Sequence, residues 1–363
     1  MAVTKIEWTA TARADGTVSP GFTFNPWRGC TKVSAGCQNC YAETFSGRNP
    51  GTLGVWGPNG TRVVAAEAQW KLPLKWDREA KAKGERHRVF CASLADVFER
   101  WDGLMVDAAG RKLWATGPDG EDGTTEPTGT PLTMDRVRFR LWRLINRTPH
   151  LDWLLLTKRP ENIMRMGPGE WCNPHTAGGP NWPANVWLGT SVENQAAADE
   201  RIPHLLKVPA RVRFLSCEPL LGPVTLPLLV GCRRCNHPGN VLPRDGCPRC
   251  GGTGHESGLH WVIVGGESGA GARPMLPDWA RSVRDQCQAA GVAFHFKQWG
   301  EFLHVHPREV VPGKPFRTVD DTGADASFFA PGAFVLQRLG VKTAGRKLDG
   351  REWDEFPTEA GDE

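Results

Sequence analysis

Leu151-Asp152-Trp153-Leu154-Leu155-Leu156-Thr157-Lys158-Arg159 is an apolar run that ends abruptly in a hydroxyl and two cations. Apolar and polar residues do not alternate along it. As a strand it is therefore buried on both faces, the pattern of a parallel sheet covered by helices. Five further segments repeat the pattern: Arg88-Val89-Phe90-Cys91-Ala92-Ser93, Asn185-Val186-Trp187-Leu188-Gly189-Thr190-Ser191, Arg211-Val212-Arg213-Phe214-Leu215-Ser216, His260-Trp261-Val262-Ile263-Val264-Gly265-Gly266-Glu267 and Val292-Ala293-Phe294-His295-Phe296-Lys297-Gln298. A short strand also fits near 23–25. Helical patterns lie between several of them. Over 134–147, Val137, Leu141, Leu144 and Ile145 share a face, with Thr133 as N-cap and Pro149 as stop. Over 277–290, Pro277 opens the helix, Ala280, Val283 and Cys287 line one side, and Gly291 closes it. This alternation predicts an α/β fold: a parallel β/α barrel, TIM-like and partial or complete, with a doubly wound open sheet as the alternative.

The chain has 363 residues, which at about 150 residues per domain allows one large domain with insertions. The predicted core spans 1–224 and 260–300. Residues 116–130, rich in Gly, Thr and acids, are expected as an exposed loop. A four-cysteine insertion occupies 225–259, and 301–363 form a C-terminal extension. No window reaches the ~18 apolar residues of a membrane span, and the first residues lack a signal peptide's apolar run, so no membrane contact and a cytoplasmic location are expected. The net charge of +4 is too small to argue for nucleic-acid binding alone. Eleven cysteines, an odd and clustered set, point to metal rather than to a disulfide framework.

Two cysteine groups carry that argument. Asn25-Pro26-Trp27-Arg28-Gly29-Cys30-Thr31-Lys32-Val33-Ser34-Ala35-Gly36-Cys37-Gln38-Asn39-Cys40-Tyr41-Ala42 places three thiols at C-x6-C-x2-C in a loop after the first strand. In β/α folds such loops carry the chemistry. Three thiolates hold three irons of a four-iron cluster and leave the fourth open; with a His or Cys91 as fourth ligand, they form a zinc site instead. Spacing leaves both open. Tyr41, the only tyrosine, either packs over a bound cluster, hydrogen-bonds a ligand, or is a buried structural aromatic. In the second group, Cys232-x2-Cys235 and Cys247-x2-Cys250 offer four thiolates in two knuckles, the signature of structural zinc. Arg233, Arg234, Arg244 and Arg249 surround it, either facing a nucleic-acid backbone or simply solvated.

In a parallel sheet the residues just past each strand meet on one rim. They would be Asn25, Ser93, Asp96, Thr157, Lys158, Arg159, Ser191, Glu193, Asn194, Ser216, Glu218, Glu267, Ser268, Lys297 and Gln298. Lys158, Arg159 and Lys297 suit a carboxylate or phosphate. Glu193 and Glu218 suit a ribose, a base or proton transfer. Lys158, Glu218 and Lys297 are the candidate catalytic residues. The glycines of Gly265-Gly266-Glu267 permit close backbone approach, and Glu267 could accept an ammonium group.

The chain resembles the phage- and prophage-associated three-cysteine-motif proteins, a family of unknown function. The resemblance rests on Thr4-Lys5-Ile6-Glu7-Trp8, the 29–42 loop, Leu156-Thr157-Lys158-Arg159-Pro160, Ser191-Val192-Glu193-Asn194-Gln195, Cys217-Glu218-Pro219-Leu220-Leu221-Gly222-Pro223, residues 262–275, Phe296-Lys297-Gln298-Trp299-Gly300 and Leu348-Asp349-Gly350-Arg351-Glu352-Trp353. That family is similar in turn to radical S-adenosylmethionine enzymes. Two departures stand out: the usual spacing there is C-x3-C-x2-C, and an aromatic residue usually precedes the third cysteine, where this chain has Asn39. The resemblance implies a four-iron cluster on Cys30, Cys37 and Cys40. It also implies S-adenosylmethionine bound near Tyr41, Ser191, Glu193, Gly265, Gly266 and Glu267, and reductive cleavage to a radical that abstracts hydrogen. A nucleic-acid base or nucleotide is the expected substrate, an electron donor the expected partner, and the oligomeric state is left open. The competing readings are a non-enzymatic zinc protein that binds nucleic acid or acts as a scaffold, and a metal-dependent hydrolase or lyase using Asp96, Glu193 and Glu218.

Overall fold

The structure, a computed structural model, describes residues 4, 6–12, 18–19, 21–116, 122–124, 129–173, 175, 181–231, 255–328, 330 and 332–357. Its contacts divide the chain into two units, Met1–Thr190 with Lys207–Arg211, and Ser191–Leu206 with Val212–Glu363.

The first unit carries β1 (Phe22–Thr23), α1 (Tyr41–Arg48), α2 (Glu67–Lys83), β2 (His87–Cys91), α3 (Met134–Asn146), β3 (Leu151–Thr157) and β4 (Val186–Ser191). Its strands run parallel in chain order, with Phe22 opposite Val89, Leu151 opposite His87, and Trp153 opposite Val186. Every residue of β2 and β4 is buried, as is every residue of β3 except the half-buried Leu156. This is the burial that an unbroken apolar run requires. α3 lies where its periodicity places it and buries Val137, Leu141, Trp142, Leu144 and Ile145. Thr133 stands at its N-cap, but its side chain makes no capping bond.

The second unit carries α4 (Gln195–Leu206), β5 (Val212–Cys217), β6 (Trp261–Gly265), α5 (Pro277–Ala290) and β7 (Ala293–Gln298). β5, β6 and β7 are again parallel in chain order, and the register of β6 on β7 shifts between Val264 and Gly265. An antiparallel sheet follows, with Phe334–Arg338 between Phe302–Val305 and Phe316–Val319. The outer edge of β7 is covered by a later segment: Phe296 N–H donates to the Trp353 carbonyl at 2.8 Å and Glu355 N–H to the Phe294 carbonyl at 3.2 Å.

The expected parallel α/β architecture is therefore present, in the partial rather than the complete form of the barrel. Among the described residues β1 pairs as a strand only with β2, and β7 only with β6. Neither unit shows the reversal of strand order that a doubly wound sheet requires. Residues 116–130 include a short strand, Asp122–Thr124, antiparallel to Trp114–Thr116. Leu229–Gly231 and His255–Ser257 pair antiparallel where the four-cysteine insertion leaves and rejoins the fold. Cys232, Cys235, Cys247 and Cys250 lie outside the described residues. Among those described, no helix is long and apolar enough to cross a membrane.

Gly291 closes α5 in the left-handed region, at φ 64°, which lets Val292 N–H reach the Cys287 carbonyl at 2.9 Å. A Cβ there would touch nothing. Gly291→Ala is expected to cost about 1 kcal/mol, the left-handed penalty alone. A urea midpoint that does not fall would contradict this conformation.

Candidate functional site

The chain leaves β1 through Asn25, whose side-chain amide accepts Leu94 N–H at 2.7 Å and donates to Ser93 Oγ at 3.1 Å. One side chain thus ties the exits of β1 and β2. Trp27–Arg28 then pairs antiparallel with Arg62–Val64. Gly29 follows at φ 113°; a Cβ there would collide with the Thr61 carbonyl oxygen. Its N–H donates to the Leu94 carbonyl at 3.0 Å, so the cysteine loop departs from a fixed point.

Two guanidinium–carboxylate pairs hold what comes next. Arg62 grips Glu99 with two parallel bonds, Nε to Oε2 and Nη2 to Oε1, both 2.8 Å, and neither side chain reaches solvent appreciably (0% and 1% exposed). Thr31 sits across this pair: its N–H donates to Glu99 Oε1 at 2.9 Å and its hydroxyl accepts from Arg62 Nη2 at 2.8 Å. The second pair joins Arg159, just past β3, to Asp96, just past β2, at 2.8 Å. Asp96 also accepts from Thr157 Oγ1 at 2.7 Å, Lys158 N–H at 3.1 Å and Phe98 N–H at 3.0 Å. Arg159 Nη2 donates to the Thr31 carbonyl at 2.7 Å, while Nη1 lies 3.7 Å from Cys30 Sγ.

Cys37 ends a single 3-10 turn, Cys40 stands at the N-cap of α1, and all three loop cysteines are half-buried and unbridged. Tyr41 is 58% exposed and donates from its hydroxyl to the Ser93 carbonyl at 2.8 Å, so it is not the buried aromatic of the alternative reading. Cys91, considered as a fourth ligand, is fully buried within β2. Among the described residues no three His, Cys, Asp or Glu side chains are grouped to hold one metal ion. Thiolates on a single zinc stand ~3.8 Å apart, from 2.3 Å bonds at tetrahedral angles. In a four-iron cluster each thiolate has its own iron and stands farther from its neighbours. By donor type alone, three unbridged thiols on one loop are what a four-iron cluster with one open iron would take.

The second unit holds the other strand-end residues. Glu193 is buried against Arg201 of α4 at 2.8 Å, and Arg201 also donates to the Ser191 carbonyl at 2.8 Å. Glu218, past β5, meets Lys297 Nζ of β7 at 2.6 Å, with each side chain about a quarter exposed. Glu218 packs where a Cβ of Gly265 would project, and the Trp299 carbonyl occupies the corresponding space at Gly266. The close approach at these glycines is thus made by the chain itself. Glu267 accepts from Arg273 at both oxygens, Oε1 from Nη2 at 2.7 Å and Oε2 from Nε at 2.9 Å. Asp96, Arg159, Asn25 and Ser93 therefore come together in the first unit, as do Glu218 and Lys297 in the second. Sequence reasoning missed Arg62, Glu99, Arg201 and Arg273. Of these, only Glu99, three residues past Asp96 in a strand-exit loop, left any signal.

Removing Arg62 strands the Glu99 carboxylate in the interior. Arg62→Ala is expected to lose about 3–5 kcal/mol in chemical denaturation; a loss under 1 kcal/mol would contradict the buried pair. Burial, then Asp96 and Glu99, push the Cys30 thiol up to about 12 against the opposing pull of Arg159. With an ordinary value of 9.0, metal-free protein at pH 8 should hold roughly a thousandfold less thiolate at Cys30 than a free cysteine. Iodoacetamide labelling mapped by mass spectrometry should be slow there and still accelerating above pH 10. A plateau by pH 9.5 would contradict it.

No curated protein and no solved structure matches the chain. A protein-family profile does, over residues 3–108 and 132–357, stepping across the stretch that contains the short hairpin. On that match the chain belongs to the family described as "Protein of unknown function (DUF5131)".

Proposed function

We propose that the protein is an iron–sulfur enzyme of the radical S-adenosylmethionine type, with Cys30, Cys37 and Cys40 as the ligands of a four-iron cluster. The observation that supports this most is the anchoring of the three-thiol loop to the exits of β1, β2 and β3 by Asn25, Asp96 and Arg159. A loop anchored in this way has part of its ordering cost met by folding, before any ligand is bound. When bound, such a cluster supplies one-electron reduction of S-adenosylmethionine chelated at its open iron.

The chain's own residues then have separable tasks. Arg62 and Glu99 fix Thr31 and thereby the start of the loop. Tyr41 fastens the start of α1 to the exit of β2 through the Ser93 carbonyl. Lys158 offers a cation past β3. In the second unit the Glu218–Lys297 pair, hydrogen-bonded and partly open to solvent, is suited to hold or move a proton. Ser191, Glu193 and Glu267 remain proposed cofactor contacts, whereas at Gly265 and Gly266 the space is taken by Glu218 and the Trp299 carbonyl. The arginine at both oxygens of Glu267 makes it a weaker acceptor for an ammonium group than its sequence position suggests. We place a structural zinc on Cys232, Cys235, Cys247 and Cys250, supported by the paired strands that bring residues 231 and 255 together at the base of that insertion. The substrate proposed is a nucleic-acid base or nucleotide, the protein is proposed to be phage-associated and cytoplasmic, and an external electron donor is required.

Anaerobic reconstitution with iron and sulfide should give a brown protein with about four irons beyond any zinc. It should cleave S-adenosylmethionine when reduced, and Cys37→Ser should lose both properties. A colourless protein that holds zinc alone would refute the proposal and leave the non-enzymatic zinc reading.

A further inference from the structure

Arg159 touches three different things with one planar group. Its Nη1 serves Asp96 Oδ2 at 2.8 Å and faces Cys30 Sγ at 3.7 Å, and its Nη2 donates to the Thr31 carbonyl at 2.7 Å. Glu99 Oε1 lies a further 3.6 Å from Nη2. The residue is only 8% exposed. Its orientation is not free, because Asp96 is itself fixed by the Thr157 hydroxyl and by the N–H groups of Lys158 and Phe98. The three partners come from separate parts of the chain, one past β2 and two in the cysteine loop, and Arg159 reaches them from its own place past β3. A lysine ammonium could supply the charge at this place but not the fork that reaches carboxylate, carbonyl and sulfur together.

We infer that Arg159 is the positioning residue for Cys30: it locks the first cysteine of the loop to the exits of β2 and β3, and its N–H···S contact sets the reduction potential of the group that Cys30 ligates. The inference rests on the iron–sulfur reading. Three thiolates make a cluster net negative, and one more electron makes it more so. A buried cation beside one sulfur stabilises the reduced state more than the oxidised one and moves the potential upward. Outer partners of this kind orient a ligand and tune the metal together. Asp96 has a dual effect: it aims the guanidinium and offsets part of its charge. Arg159 thus acts on the cluster through Cys30 and is not a catalytic residue.

The test compares wild type, Arg159→Lys and Arg159→Gln, all reconstituted anaerobically with iron and sulfide. Iron content, the redox midpoint followed by electron paramagnetic resonance, and hydrogen exchange of the metal-free loop are the readouts. Both variants should exchange faster at residues 30–32 before any metal is added. Both should take up less iron than wild type, and their midpoints should be more negative, Arg159→Gln more so than Arg159→Lys. If Arg159→Gln fails to fold, Arg159→Lys decides alone, because it keeps the cation and loses the fork. Wild-type midpoint and iron content in a folded variant would overturn the inference. A wild-type protein that takes up no iron would instead remove the iron–sulfur reading beneath it.

Discussion

A strand buried on both faces offers a polar side chain no water, so each one either finds a partner inside or stands past the strand's end. β2, β4, β5 and β6 are buried along their whole length. Polar groups past their ends are costly unless they find partners. In the first unit they do, and largely in one another: Asn25 with Ser93 and Leu94, and Asp96 with Thr157, Lys158, Phe98 and Arg159. Each of these bonds joins, or braces a group that joins, one strand exit to another. The cysteine loop inherits that bracing because it springs from the same exits.

The buried ion pairs are better understood as geometry than as stability. Taking two charges out of water costs several kcal/mol per ion, and a well-packed apolar pair often does as well or better. An apolar pair, however, could not hold Thr31, whose amide and hydroxyl are bound by opposite members of the Arg62–Glu99 pair. Glu193 and Arg201 do similar work in the second unit, where the guanidinium also binds the Ser191 carbonyl. In each case a rigid fork of donors spans a carboxylate and a piece of backbone. The fork suits that task through its planar shape more than through its charge.

The parallel strands were legible because burial on both faces leaves an unbroken apolar run, and the helices α3 and α5 because their ends carry Thr133, Pro277 and Gly291. α2 and α4 leave a weaker trace, with Pro73 and Pro203 inside them, although Trp70, Pro73, Trp76, Asp77 and Ala80 keep a helical spacing. Asp96 and Arg159 could be found as residues past strand ends, but their meeting could not, because it depends on how two strands pair. Arg62 gave no sign because its strand is only three residues long. Glu267 shows the opposite difficulty: it reads as an acceptor for a ligand, while an arginine six residues later takes both its oxygens. The glycines beside it read as room for a ligand, and the room is filled by Glu218 and Trp299.

The edge of β7 is covered by the segment around Trp353, Asp354 and Glu355, with Glu355 also reaching the Trp261 indole through its carbonyl and Gln288 through its carboxylate. That cover is made from residues a ribosome adds long after the strand it protects. Through the interval, β7 presents a row of unpaired amides and carbonyls on an apolar strand, the kind of edge that recruits other chains. The nascent protein therefore passes through a period of vulnerability that the finished one does not show.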